Sequence, residues 1–173
     1  MSTEILTGPG ADAALTEAFR ASLRRVAASV SIVAARDAAG QFHGMAVTSA
    51  GSLSMEPPSM MVAVNRSASV HPVMRDSGRF SLNLMDEGNA PLLEAFSRTE
   101  LRDRRFAPGQ WRAGPGGLPV LEGALACHVC TVAETHDFGT HTVFFGRVDA
   151  VILPDGPGGA PIVWCNGARL PAR

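Results

Sequence analysis

Strand-like stretches follow one another along this chain with only two or three helical segments among them. "SVSIVAAR" (Ser29 to Arg36), the run from Gly44 to Pro58, "SMMVAVN" (Ser59 to Asn65) and "RFSLNLM" (Arg79 to Met85) all have strand composition. So do two long stretches, Leu121 to Glu134 and His141 to Leu153, and a short one at Pro161 to Cys165. A doubly wound parallel sheet needs strands and helices in strict alternation, which this order excludes. The pattern predicts a mainly β fold, a closed β-barrel with helices on its outside. One helix is expected from Asp12, as cap, to about Ala28, where Leu15, Phe19, Leu23, Val26 and Ala27 recur at helical spacing. A second is expected over Ala90 to Phe106, with Leu92, Leu93 and Phe96 as its apolar stripe, and Pro108 to Pro119 reads as loop.

A chain of 173 residues is expected to form one domain, here residues 12–173 behind a flexible segment at 1–11. Hydrophobic residues make up 46% and charged residues 18%, a globular balance. The net charge of -1 offers nucleic acid or an anionic membrane no general attraction. "MSTEILTGPGADA" lacks the basic patch and apolar stretch of a secretory signal, and no apolar run approaches the roughly 20 residues of a membrane helix. A cytoplasmic protein with neither nucleic acid nor membrane as partner is expected.

Two absences restrict the chemistry. All 15 basic residues are Arg, so a Schiff-base lysine and a P-loop lysine are both excluded. There is no Tyr to donate a proton. "CHVC" (Cys127 to Cys130) has the spacing of a redox or zinc pair, but odd spacing in a strand sends the two thiols to opposite faces, so buried structural cysteines are expected. His128, His136 and His141 match no metal-ligand spacing, and no metal is expected. "GPGGLP" (Gly114 to Pro119) and "GPGGAP" (Gly156 to Pro161) do not join a strand to a helix, and both read as turns.

"GMAVTSAGSLSMEPP" (Gly44 to Pro58) alternates apolar residues with Thr48, Ser49, Ser52 and Ser54, and "NRSASVH" (Asn65 to His71) puts further hydroxyls beside Arg66. Short hydroxyls donate and accept and let a flat ligand approach the backbone, and serines in a turn beside an arginine suit a phosphate. These two segments, with "FRASLRRVAASVSIVAA", "SGRFSLNLM", "LPVLEGALACHVC", "GTHTVFFGRV" and "VWCNGARL", occur in an order that resembles the short flavin reductase family. Its members are FMN-binding split-barrel reductases that feed two-component monooxygenases, and the likeness runs from about Phe19 to Leu170.

The resemblance implies an FMN-binding split barrel. It implies that Thr48, Ser49, Ala50, Ser52, Leu53 and Ser54 line a flavin ring and ribityl chain, with the intervening apolar residues holding the strand in the barrel. Asn65, Arg66, Ser67 and Ser69 would take the phosphate end, with Phe80 and Asn83 closing the site. His141 would stand beside the nicotinamide of NADH or NADPH, with FMN or FAD as the flavin, and the protein's task would be to hold two rings at about 3–3.5 Å. The implied partners are a flavin-dependent monooxygenase and a second copy in a homodimer that completes the site. Two positions depart from the family pattern: Thr140 stands where an Asp usually precedes the histidine, and Gly167-Ala168-Arg169 stands for Gly-x-Tyr. The guanidinium of Arg169 can still stack on a ring. Because both departures fall on the reductant side, a flavin carrier without reductase activity is the alternative, and a split-barrel oxidase acting on a small molecule a further one.

Overall fold

A computed structural model of the chain describes residues 13–106, 110–156 and 158–171. The elements in chain order are α1 (Ala13–Leu23), β1 (Ala28–Ser29), β2 (Ser31–Arg36), β3 (Phe42–Val47), β4 (Ala50–Met55), β5 (Pro58–Asn65), α2 (Val70–Ser77) and β6 (Arg79–Leu84). They continue with α3 (Leu92–Ser97), β7 (Trp111–Ala113), β8 (Pro119–Leu121), β9 (Ala126–Phe138), β10 (His141–Ile152), β11 (Val163–Cys165) and β12 (Ala168–Arg169). The expected segment 1–11 and the Asp12 cap lie outside the described residues.

Seven strands form one antiparallel sheet in the order β3-β2-β6-β9-β10-β5-β4. Laid flat, seven strands would hold β3 and β4 about 29 Å apart at ~4.8 Å per strand. Only Thr48 and Ser49 join them, a link that spans at most about 11 Å. The link wins, and the sheet curls until its two edges face each other. No ladder pairs β3 with β4, so the expected closed barrel is instead split along this seam. The run from 44 to 58, read as one strand, is two strands for the same reason: the chain must cross the seam in its middle.

The sheet is filled on both faces. Along β2, Val33 and Ala35 enter the cluster inside the barrel with Val62, Val64, Phe80, Leu82 and Phe144. Ile32 and Ala34 enter a second cluster with Met85, Phe96 and Ile162, under α3. That double burial explains the continuous apolar run "SIVAA". On β9, Cys130 joins the first cluster and Cys127 a third with Val120 and Val129, so the two thiols face opposite ways as expected. Burial pushes each thiol up to about 12, which keeps both protonated and inert.

The helices depart from expectation. The segment 90–106 is not one helix; α3 is followed by a 3-10 stretch at Thr99–Arg104. Buried Arg105 ties this region to the barrel by donating to the carbonyls of Ala95 and Gly44 at 3.0 Å and of Arg98 at 3.3 Å. The α1 helix stops at Leu23 because the chain must extend to pair Ala28 and Ser29 with Trp164 and Val163. No α1 residue is buried, and Phe19, Leu23 and nearby Val26 are exposed. The expected loop 108–119 contains β7, which pairs with β8.

Candidate functional site

The seam brings the hydroxyl-rich run to the surface along β4, which among the described residues is an edge strand paired with β5 alone. Thr48 and Ser52 are exposed, and neither hydroxyl has a hydrogen-bond partner among the described residues. The Ser49 hydroxyl donates to the Ala63 carbonyl at 2.7 Å, which pins the start of β4 to β5. Ala50 packs against the barrel core. At Leu53 the register slips, so that Ser52 faces Met60 while Ser54 faces Ser59. The bulged end leaves Leu53 48% and Met55 80% exposed; Met45 and Val47 hold the run in the barrel as expected, and Met55 is the correction. Ser54 spends its hydroxyl on its own turn, donating to the Glu56 carbonyl at 3.1 Å and accepting from the Glu56 N–H at 3.0 Å.

At the far end of β5 the chain turns sharply. Asn65 Oδ1 accepts from the Ser67 N–H at 2.9 Å and the Ser67 hydroxyl at 2.8 Å. Arg66 ties the turn to the β9–β10 hairpin: its N–H donates to the Thr140 carbonyl at 3.0 Å and Nη2 to the Gly139 carbonyl at 2.6 Å. His141 pairs directly with Asn65 across the β5–β10 ladder and is exposed. Its Nδ1 lies 2.9 Å from the Thr140 hydroxyl, so the residue that departs from the family's Asp still orients the ring. His141 therefore stands at the corner assigned to the phosphate, about 16 Å along β5 from Met60 at ~3.3 Å per residue.

The other expected residues lie elsewhere. Ser69 precedes α2 without a side-chain capping bond and lines a cavity of about 220 Å³ with Phe42, His43 and Arg105. Phe80 and Asn83 are fully buried. Phe80 fills the barrel core. Asn83 donates to the Ile32 carbonyl and the Ser81 hydroxyl and accepts from the Leu121 N–H at 2.9 Å, a structural role. Arg169 lies on the separate β1-β11-β12 sheet, paired with Glu87 at 3.0 Å, beside an open cavity of about 560 Å³. Its strand partner Trp164 lines a smaller cavity, about 180 Å³, shared with Thr48.

Sequence reasoning missed a hydrogen-bond chain behind this corner. The Thr142 hydroxyl donates to Asp137 at 2.6 Å, which leaves its oxygen to accept from His71 Nε2 at 2.8 Å. Burial, then the nearby Arg75 charge, lowers the pKa of His71, so the neutral Nε2–H tautomer fits both bonds. The Thr142 bond, reinforced by Arg75, holds the Asp137 carboxyl below its ordinary value. The three residues come from α2, β10 and β9, separations that no local periodicity reports.

The match to known proteins follows the same frame. The flavin reductase like domain model matches residues 23–172. An FMN reductase (NADH) RutF of Stutzerimonas stutzeri is 32% identical over 141 residues, 82% of this chain and 80% of that protein. The reductase component of an FADH(2)-dependent resorcinol hydroxylase of Rhizobium is 35% identical over 131 residues, 75% and 73% of the two chains. Nitrilotriacetate monooxygenase component B of Mycobacterium thermoresistibile superposes with a TM-score of 0.85 at 28% identity, covering 92% of this chain and 88% of that one.

Proposed function

Because the chain belongs to the flavin reductase like family, we propose that it is an NAD(P)H-dependent flavin reductase that supplies reduced FMN or FAD to a partner monooxygenase. The observation that carries this reading is the corner where Asn65 and His141 share one ladder and Arg66 bonds to the hairpin turn. The donor set fits a flavin. Thr48 and Ser52 offer free hydroxyls along an edge strand, and Arg66 retains donors for an anionic end. When bound, a flavin accepts hydride at N5 from C4 of the reduced nicotinamide. Thr48, Ser52 and the β4 edge would hold the flavin, and the Asn65–Ser67 turn its phosphate. His141, fixed by Thr140, would orient the reductant where it meets the corner. No proton or covalent bond has to pass through a side chain, which agrees with a site of hydroxyls, amides and one imidazole.

A second copy would complete the site. Phe19, Leu23 and Val26 leave one apolar stripe uncovered, Leu53, Met55 and Met61 leave another beside the proposed flavin edge, and Phe138 is uncovered at the hairpin tip. A homodimer that buries these residues would shield the ligand from water. The cytoplasm, where reduced nicotinamide is made, is the proposed compartment.

Steady-state assays with NADH and free flavin, varied independently, test the assignment. Oxidation in proportion to added flavin is expected without any partner protein. His141→Ala is expected to raise KM for NADH or lower kcat with flavin affinity nearly unchanged. Loss of flavin affinity instead would move His141 to the phosphate. No flavin-dependent oxidation in the wild type would leave the flavin-carrier reading.

A further inference from the structure

Away from the seam, a cavity of about 570 Å³ has Arg36, Val73, Asp76, Arg79, Gly116 and Leu118 in its lining. Its basic end is built on the "GPGG" turn. Gly116 and Gly117 have φ of +67° and +74°, so each adopts a conformation that other residues rarely take. A Cβ on Gly116 would overlap Arg79 Nη1, and one on Gly117 would lie 2.7 Å from Arg36 Nη1. Two guanidinium groups thus rest on two adjacent bare backbone units.

Neither guanidinium forms an ion pair, although Arg79 lies near enough to Asp149 to help lower its pKa. Among the described residues no carboxylate lies within ion-pair distance of Arg36 or Arg79. Arg36 makes one long bond, from Nε to the Gly40 carbonyl at 3.4 Å. Arg79 Nε is buried without a hydrogen-bond partner. The nearby acids are engaged elsewhere. Asp37 accepts from the Gln41 N–H at 2.8 Å and holds His43 at 2.9 Å, and Asp149 accepts from Thr131 and Arg147. Asp76 also borders the cavity, and among the described residues its carboxylate has no hydrogen-bond or ion-pair partner. Apart from the Arg36 Nε bond, neither guanidinium has a hydrogen-bond partner among the described residues, and two such forks on the wall of one cavity suit an oxyanion.

We propose that this cavity binds a small organic oxyanion, a phosphate monoester whose body carries hydroxyl groups. Its oxygens take Arg36 and Arg79, whose planar forks suit a phosphate, its hydroxyls donate to Asp76, and its carbon frame lies on Val73 and Leu118. The site is separate from the β4 edge and the His141 corner, so occupancy is independent of the flavin.

The test is NMR of the arginine Nε–H groups of the full chain, titrated with glycerol 3-phosphate, inorganic phosphate and sodium chloride at matched ionic strength. A saturable shift of the Arg79 Nε–H signal is expected with glycerol 3-phosphate, weaker by at least tenfold in Arg36→Gln and in Asp76→Asn. An equal response to inorganic phosphate would reduce the ligand to free phosphate and overturn the ester. A response no different from chloride, or one unaltered in both variants, would overturn the site. Folding of the variants is checked by their unchanged methyl spectra.

Discussion

Thr140 shows how one hydroxyl stands in for a carboxylate. Its oxygen lies 2.9 Å from His141 Nδ1, so the imidazole is oriented by a neutral hydroxyl. Thr140→Val is expected to raise KM for NADH about fivefold, the equivalent of ~1 kcal/mol for one hydrogen bond, with flavin affinity unchanged in a titration. On the flavin side, Thr48→Val and Ser52→Val should each weaken binding by about 0.5–1.5 kcal/mol, whereas Ser54→Ala should act on the Glu56 turn and leave flavin affinity in place. His71 sets a pH dependence. Its pKa is lowered by burial first and then by Arg75, with Arg66 adding to this and Asp137 opposing it. The unfolded chain therefore takes up the proton first as pH falls below the ordinary histidine value of 6.5. Stability contributed by neutral His71 is present above that pH and is lost below it. The melting temperature should fall between pH 7 and pH 5, and His71→Gln should flatten part of that slope.

At the level of elements, strand segments follow local pattern more closely than the helices do. The composition of "SVSIVAAR" predicts a strand, and the spacing of Cys127 and Cys130 places their thiols on opposite faces, both as found. The seam was not legible, because strand composition is the same on both sides of Thr48-Ser49. Only the ladder order shows that β3 and β4 sit at opposite edges of the sheet. The Leu53 bulge was hidden for the same reason, since alternation counts residues and a bulge inserts one. Of the site, the hydroxyl run and the Asn65 turn were visible as motifs. Asn83 and Phe80 were expected there only from the family resemblance, and their full burial is set by the surrounding core, which no local pattern reports. The long hairpin also fixes a packing constraint at Gly146, where a Cβ would overlap the Phe80 ring and lie 2.9 Å from Cys130 Cβ. Gly146→Ala should cost about 1–3 kcal/mol in chemical denaturation.

For the whole molecule, uncovered apolar residues fall on α1, on the β4 edge and at the hairpin tip, where Phe138 is 79% exposed. Light scattering should therefore report about twice the 18.1 kDa chain mass, and Met55→Glu combined with Phe138→Glu should shift that mass toward a single chain while weakening flavin binding. A monomeric wild type that still held flavin tightly would contradict a shared site. The central claim is that one corner of the barrel receives both flavin and reduced nicotinamide. Anaerobic rapid mixing of the protein and FMN with NADH measures this most directly. Loss of the oxidised flavin absorbance at a rate that saturates with NADH, slowed in His141→Ala, is the expected result; flavin that binds yet keeps its absorbance with NADH or NADPH would contradict it.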